Sequence, residues 1–319
     1  MKRLTDMTMC CLGAAAPSPA QLQKLFELQL LTGADYIEMP RAYYETLAPV
    51  ASSEKLILRL ASPGEAVFFP EIRRFICRIP EEGQDARVTT EIQINDRREI
   101  PLLRRYTALS NVRLTGLDDL ILHDYESTFS EIRKTLSGTV TFCPEDSASC
   151  ATALAVEWLL GGGEAAALSF GGLGGKAALE EVMLALRLHM RYRCNATYEV
   201  FPRLQSLLEE IRSERFDKRK PIIGRGIFDV ESGIHVDGIL KKPEMYEPYQ
   251  PSLVGARRAI IIGKHSGKKA VIAKLLERQL LPEAYDIDKI LRAVRQKSLE
   301  KAAGLTDAAF FDLAEQFRK

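Results

Sequence analysis

Two of the four histidines in this chain stand in short glycine-bounded segments. His235 lies between Gly233 and Gly238, and His265 is the centre of the run Gly-Lys-His-Ser-Gly at 263–267. Glycine spacing of this kind predicts compact turns that hold an imidazole at the surface. Because histidine titrates near neutral pH, such a side chain suits proton transfer. Hydrogen bonding within the turn is the alternative role for His235, and helix capping or packing is the alternative for His265.

The other candidates lie in the first two thirds of the chain and are more isolated. Glu38 closes a predicted strand, and a carboxylate at the end of a barrel strand is a site candidate. His123 and Asp124 also end a predicted strand, but they form a lone pair. His189 falls in an apolar helical pattern, which predicts a partly buried side chain. This part of the sequence shows no acidic–histidine cluster of the kind that ligates a metal.

Composition narrows the classes of function. Of the 319 residues, 46% are hydrophobic and 27% are charged, which is typical of a globular protein with a sizeable core. The net charge of +1 creates no overall field that would attract nucleic acid or a membrane surface. No apolar run reaches the ~18 residues of a membrane span. The six cysteines form no Cys-x-x-Cys pair, which predicts reduced thiols and a cytoplasmic location.

Short apolar runs alternate with helical patterns along the first part of the chain. The strand-like runs lie at 2–8, 36–39, 55–60, 75–79, 88–94, 119–123, 139–142 and 166–170, and the helical patterns at 19–31, 41–50, 100–109, 128–136, 147–160 and 177–190. Eight strands with interleaved helices predict an α/β fold, a shortened (β/α)₈ barrel of the TIM type, with an open doubly wound sheet as the alternative. The pattern changes after Cys194. We therefore predict a barrel over 1–193 and a lid with a small helical subdomain over 194–319.

The segment that contains His235 and His265 closely resembles the C-terminal part of homocitrate synthases. The resemblance rests on 228–238, on Lys-Lys-Pro-Glu-Met-Tyr-Glu-Pro at 241–248, and on 263–267. Homocitrate synthases belong to the isopropylmalate synthase-like family of acyl-CoA-dependent condensing enzymes. Weaker resemblance continues at 35–40, which is similar to the second barrel strand of the family, and at 172–182, which is similar to its glycine-rich eighth-strand loop.

The sequence departs from this family where the barrel should bind metal and substrate. The first family motif has an arginine that polarises the 2-oxo acid, followed by an acid that holds a divalent metal. Cys10 and Cys11 stand at these two positions, although Asp6 matches the motif. The histidine-x-histidine motif of the seventh strand is replaced by Phe142-Cys-Pro144, and neither phenylalanine nor proline can ligate a metal. We therefore expect this chain to bind no metal or other cofactor, with a soft thiolate site at the cysteines as the alternative.

The resemblance implies a role divided between two subunits. In these enzymes the C-terminal segment forms a lid over the barrel mouth of the neighbouring subunit, where its histidine assists acid–base chemistry. This implies that His235 acts in trans and that Glu38 is a further catalytic candidate, while the residues that bind substrate are unassigned. The expected partner is a catalytic homocitrate synthase barrel subunit that carries the divalent metal and condenses acetyl-CoA with 2-oxoglutarate.

The combination of a degenerate barrel and an intact lid resembles the omega-type subunit of split homocitrate synthases from nitrogen-fixing anaerobes. The resemblance implies that the homocitrate serves synthesis of the nitrogenase cofactor and that the isolated chain is inactive. Two alternatives remain open. One is a regulatory or scaffold pseudoenzyme of the same family, and the other is a self-sufficient enzyme with a changed mechanism.

Overall fold

The computed structural model describes residues 2–47, 54–78, 85–192 and 198–319. Eight parallel strands form a closed barrel in sequence order, and β8 pairs with β1 in the register Arg3↔Ala165 to close it. This confirms the predicted (β/α)₈ fold. The strands are β1 Arg3–Asp6, β2 Tyr36–Pro40, β3 Leu56–Arg59, β4 Phe75–Cys77, β5 Val88–Ile94, β6 Asn111–Gly116, β7 Thr139–Pro144 and β8 Ala165–Leu168.

Helices cover the outside of the barrel between the strands. They are α1 Pro19–Leu31, α2 Arg41–Leu47, α3 Tyr125–Thr135, α4 Ala151–Leu160 and α5 Leu179–Met190, with 3-10 helices at Pro63–Phe68 and Arg97–Tyr106 after β3 and β5. The start of α1 follows from its sequence. Ser18 caps it by accepting a hydrogen bond from the backbone of Gln21, Gln21 reaches back to the Ser18 backbone, and Pro19 occupies the first helical position.

The sequence prediction is wrong at the sixth strand. Residues 119–123 contain a short 3-10 helix, Leu120–Leu122, and the strand is β6, which precedes it. Arg113 in the middle of β6 breaks the apolar pattern that predicts a buried strand, because charged side chains are rarely buried unless they are paired. The predicted helix at 100–109 is also a 3-10 helix, Arg97–Tyr106.

The remainder of the chain forms a second compact unit whose main part is Asp217–Lys319. It contains α7 Gly233–Lys241, α8 Lys268–Glu277, α9 Ile287–Lys301 and α10 Asp307–Glu315, with a two-stranded parallel sheet of β9 Asp229–Val230 and β10 Ala259–Ile260. Its core includes Val236, Val271, Ile290, Val294 and Phe310.

The predicted domain boundary at 193/194 lies outside the described residues. The helix that follows, α6 Phe201–Arg212, belongs to the barrel unit and packs against α1, where Gln21 Nε2 donates to Glu210 Oε1 at 2.8 Å. Within the described parts of the chain, no helix combines the length and apolarity that crossing a membrane requires.

Candidate functional site

The mouth of the barrel, at the carboxyl ends of the strands, is where enzymes of this fold place their chemistry. The β1 end contributes Asp6, which is fully buried and accepts hydrogen bonds from the backbone and hydroxyl of Thr8. Burial raises the pKa of Asp6, and the bonds to Thr8 oppose that rise. Asp6 therefore shapes the turn into the 3-10 helix Thr8–Cys11, which carries the two adjacent cysteines.

Cys10 and Cys11 line the mouth as neutral thiols. Burial and then the Glu38 charge raise the pKa of Cys10 well above its usual value, and the same two causes raise the pKa of Cys11 to about 12. The Cys10 sulfur lies 3.5 Å from Glu38 Oε1. Cys11 packs close to Gly174, where a Cβ would come within 3.0 Å of its sulfur. Since the thiolate is the nucleophile and the metal ligand, these thiols are poorly suited to either role.

The seventh strand turns its bulky aromatic ring away from the mouth. Phe142 packs between sheet and helices, with its ring centroid 5.3 Å from that of Phe129 and 5.6 Å from that of Trp158. The next residue, Cys143, faces the interior, where its sulfur lies 3.6 Å from the sulfur of Met7. Burial raises the pKa of Cys143 as well.

Glu38 lies in the interior of β2, which continues to Pro40, and not at the end of the strand. Its Oε1 accepts a hydrogen bond from Arg59 Nε at 2.7 Å, and its Oε2 lies 2.6 Å from Arg113 Nη1. Both Glu38 and Arg113 are almost completely buried, at 0% and 2% exposure. The same arginines also contact Glu91, which Arg59 binds with two nitrogens at 2.7 and 3.1 Å.

This ion-pair network fixes the charge state of its acids. Burial alone would raise the pKa of Glu38, but the charges of Arg113 and then Arg59 outweigh it and hold that pKa below its usual value. The pKa of Glu91 is also lowered, because Arg59, Arg113 and Arg78 outweigh the effect of burial. A carboxylate held between guanidinium groups is a weak base.

The mouth retains an open cavity of about 520 Å³. Its lining includes Cys10, Cys11, Arg59, Arg78 and Lys176. Lys176 Nζ lies 2.7 Å from Glu145 Oε1, so its charge is balanced by a carboxylate from the end of the β7 segment.

The mouth does not fit a hard divalent cation. Residues 2–47, 54–78, 85–192 and 198–319 contain no group of three or more His, Cys, Asp or Glu side chains that could hold a metal ion. Each acid described above at the mouth already has a partner: Asp6 is bound to Thr8, Glu145 to Lys176, and Glu38 and Glu91 to arginines. The cysteines are thiols. A hard cation prefers a cage of oxygen ligands with carboxylate charge, and this mouth offers sulfur and guanidinium groups instead.

The lid segment is built around α7, and His235 lies in its first turn. The predicted glycine-bounded turn is therefore wrong: Gly233 and Gly238 are both helical, and Val236 and Ile239 anchor the helix in the core of the second unit. The His235 side chain is exposed. Its ring centroid lies 5.9 Å from that of Tyr246, with the rings in an edge-on arrangement.

Gly238 allows this pairing of His235 and Tyr246. A Cβ on Gly238 would fall 2.2 Å from Tyr246 Cζ, so only glycine lets the phenol ring lie against the helix. The same segment exposes large apolar side chains, with Ile234 at 81%, Met245 at 72% and Leu240 at 58% exposure. Sequence reasoning missed Tyr246 as a site residue, although its place in the 241–248 motif was a usable signal.

The remaining histidines are dispersed. His265 lies in a turn as predicted, and its backbone N–H donates to Glu231 Oε1 at 2.9 Å, while its side chain is exposed. His123 follows the 3-10 helix, not a strand, and its Nε2 lies 3.3 Å from Asp119 Oδ2. His189 is exposed near the end of α5, so the predicted partial burial is wrong.

Both units of the chain are similar to known proteins. A family model described as homocitrate synthase post-HMGL domain-like matches residues 222–302. The omega subunit of homocitrate synthase from Clostridium pasteurianum is 30% identical over 259 residues, which are 79% of this chain and 73% of that protein. Homocitrate synthase AksA from Methanothermobacter thermautotrophicus is 32% identical over 191 residues, 59% of this chain and about half (49%) of its own length.

Solved structures support the fold of the barrel. The HMG-CoA lyase from Brucella melitensis superposes with a TM-score of 0.52 at 10% identity, covering 67% of this chain and 99% of that one. A structural similarity at such low sequence identity supports the fold and not the function. The sequence relationship to the clostridial omega subunit extends over most of both proteins, and the chain belongs to the homocitrate synthase family.

Proposed function

We propose that this chain is an omega-type subunit of a split homocitrate synthase. It supplies the lid, with His235 acting in trans, to a partner barrel subunit that binds the divalent metal and condenses acetyl-CoA with 2-oxoglutarate. The observation that carries the proposal is a contrast within one chain. Among the residues that the structure describes, the barrel mouth has no fitting set of metal ligands, while the proposed lid presents an exposed histidine and tyrosine pair.

The composition of the mouth supports the view that the barrel is inactive by itself. Condensation requires a group that polarises the 2-oxo acid carbonyl, which is the chemistry that a bound metal supplies. Cys10 and Cys11 are neutral thiols, and Arg59 and Arg113 are paired with buried carboxylates. The metal therefore belongs to the partner, and this chain is proposed to bind no cofactor.

The surface of the lid supports a role against another subunit. Ile234, Leu240, Met245 and Tyr246 are large exposed apolar or aromatic side chains in the segment that contains His235. We call these four residues the lid patch. Exposed apolar side chains concentrated in one segment are typical of a contact with a partner. Covering the lid patch would place His235 in a site that excludes water.

His235 suits proton transfer in that setting. Its imidazole can remove a proton from the thioester methyl of acetyl-CoA or return one to the alkoxide of the product. The neighbouring Tyr246 ring packs edge-on against the imidazole and can help to hold its orientation. Glu38 is less suited to catalysis, because it is buried and already bound to two arginines.

The test is a mixed complex in which only this chain is altered. Co-expression with a metal-competent homocitrate synthase barrel should give a heteromer that releases free thiol from acetyl-CoA when 2-oxoglutarate is added, while this chain alone should release none. His235→Ala should leave the heteromer assembled and lower its turnover by about 10²–10⁴, as loss of a general acid or base does. His189→Ala, an exposed histidine on the barrel unit, is the control and should leave turnover unchanged.

Mass photometry would establish that each variant assembles. Full turnover in the His235→Ala heteromer would mean that the lid is structural and would favour a scaffold subunit. Turnover by this chain alone would overturn the divided role.

A further inference from the structure

The opposite end of the barrel from the mouth holds a cluster of arginines around a cavity of about 230 Å³. The cavity is lined by the first residues of several strands, including Arg3 of β1, Tyr36 of β2, Asn111 of β6, Thr139 of β7 and Ala165 of β8. It is therefore the opening of the barrel at the amino ends of its strands. Neither the proposed function nor the homocitrate synthase relationship assigns a role to it.

Five arginines line this opening: Arg3, Arg73, Arg74, Arg87 and Arg113. We call them the arginine funnel. Among the described lining residues there is no aspartate or glutamate. Clustered arginines are a common means by which proteins bind phosphate and carboxylate.

Carboxylates outside the cavity balance only part of this charge. Arg3 pairs with Glu164 at 3.2 Å, Arg73 with Glu54 at 2.7 Å, and Arg87 with Asp85 at 2.7 Å. All three of these acids stand away from the cavity lining.

Arg74 differs from these three arginines. Its contacts with described residues are the carbonyl oxygen of Glu54 at 2.7 Å and the ring of Tyr36 at 4.4 Å, and neither removes its charge. Arg74 therefore contributes a positive charge to the cavity that no carboxylate among the described residues pairs with.

Arg113 contributes a buried hydrogen-bond donor to the same cavity. It is 2% exposed, and its Nε is buried with no hydrogen-bond partner in the part of the chain that the structure describes. Its Nη1 is engaged with Glu38 on the side of the mouth. A buried donor that lacks a partner is uncommon and costs stability, so an acceptor placed in the cavity would satisfy it.

The barrel interior is also underfilled at this end. Packed barrels of this kind fill each interior layer with four bulky branched side chains from alternate strands. Here the odd-numbered strands contribute Thr5, Ile57, Thr89 and Thr141 to the cavity, so three of the four positions carry a small hydroxyl residue. Hydroxyl groups in a cavity can donate to an oxyanion, whereas the usual valine, isoleucine or leucine would close the space.

We infer that the arginine funnel binds one small oxyanion, a phosphate or a carboxylate, at the amino end of the barrel. The anion lies against Arg74 and Arg113 and accepts hydrogen bonds from the threonine hydroxyls. This inference is independent of the proposed function, since it concerns the end of the barrel that faces away from the mouth.

The experiment is isothermal titration of the full chain with inorganic phosphate and, separately, with citrate, in chloride buffer of matched ionic strength. We expect saturable binding of at least one of them with a stoichiometry of one, at concentrations up to about 10 mM. The ratio of the two affinities then tells whether the site prefers phosphate or carboxylate.

Two variants locate the site, and one serves as a control. Arg74→Gln should weaken binding about tenfold, which is the cost of losing a hydrogen bond to a charged group, and Thr141→Val should weaken it less while preserving side-chain shape. Arg98→Gln removes the same charge from an exposed side chain after the carboxyl end of β5 and should leave binding unchanged.

Calorimetric unfolding of each variant would show that it is folded before titration. Equal loss of affinity in Arg74→Gln and Arg98→Gln would mean that only net charge matters, and the inference would fail. It would also fail if the wild-type chain bound neither anion.

Discussion

Glu38 holds its charge between two guanidinium groups inside the barrel. Arg59 and Arg113 contact its two oxygens at 2.7 and 2.6 Å, and Arg113 is itself buried. Moving ions out of water costs free energy, so a buried ion pair adds little stability relative to an apolar core. Removing one partner is strongly destabilising, because it leaves the other charge buried without compensation. Glu38 is therefore an anchor for the barrel interior.

Replacing Glu38 by glutamine should destabilise the chain by about 3–5 kcal/mol, because Arg113 would remain buried with only Glu91 to balance it. Denaturant unfolding would measure the change. The control is Glu45→Gln, which removes the exposed partner of Arg41 and should cost less than about 1 kcal/mol. If Glu38→Gln lowered the free energy of unfolding as little as the control does, the Glu38 carboxylate would not be an anchor for the barrel interior.

The pH dependence of stability in wild type and Glu38→Gln gives a second test of this role. Because the folded-state pKa of Glu38 lies below the ordinary value of 4.5, its stabilisation is fully present above that pH and is lost as the pH falls through the folded-state pKa. The difference in stability between wild type and Glu38→Gln should therefore shrink in acid.

The charged residues of this network could not be assigned to the barrel interior from the sequence. Arg59, Glu91 and Arg113 each lie within a strand at a position that faces the barrel interior, where the alternating pattern predicts an apolar residue. A charge at such a position can be read either as a break in the strand or as a buried pair. Only the three-dimensional register of β3, β5 and β6 brings the opposite charges together.

At the scale of elements, the α7 helix sets the geometry of the lid. Val236 and Ile239 fix one face in the core of the second unit, which leaves His235 and Ile234 on the exposed face. Helical periodicity explains why these residues divide in this way. The two glycines favour a turn in the sequence, yet Gly238 serves the packing of Tyr246 and not a bend in the chain.

Gly238→Ala tests whether Gly238 is needed for the packing of Tyr246 and not for the path of the backbone. Alanine favours a helix interior by about 1 kcal/mol, but its Cβ would collide with the Tyr246 ring and displace it from His235. The proton resonances of the His235 ring, which the neighbouring aromatic ring shifts, should therefore move toward those of a Tyr246→Ala variant while the fold is kept. In the Tyr246→Ala background, Gly238→Ala should have no further effect on His235. An unchanged His235 spectrum in Gly238→Ala alone would contradict this geometry.

Seven of the eight barrel strands follow from the sequence, and the missing one has a physical cause. Apolar runs with helices between them are enough to predict β1 to β5, β7 and β8, because parallel strands are buried on both faces. The run at 119–123 is also apolar, but it contains a 3-10 helix. The true sixth strand, β6, was missed because Arg113 interrupts its apolar pattern. A short apolar run does not by itself distinguish a buried strand from a short helical turn whose apolar side chains are partly exposed.

At the scale of the whole molecule, the proposed function assigns different roles to the two units. The barrel unit contains the buried ion-pair network around Glu38, and the second unit has a compact core and exposed apolar side chains in the segment that contains His235. In the proposed heteromer the second unit provides the contact with the partner. Its affinity for the partner should then depend on the lid patch more than on other exposed apolar side chains.

Ile234→Asp together with Met245→Asp tests this dependence. Both side chains are highly exposed, so the free chain should keep its thermal stability, while charges at the contact should weaken the heteromer by at least about tenfold because they would be buried without a partner. Leu281→Asp is the matched control, since Leu281 is 70% exposed at the connection between α8 and α9, outside the lid patch. Mass photometry over a dilution series would give the affinities. If Leu281→Asp weakened assembly as much as the double variant, another surface of the second unit would make the contact, and His235 would lose its proposed position at the partner's mouth.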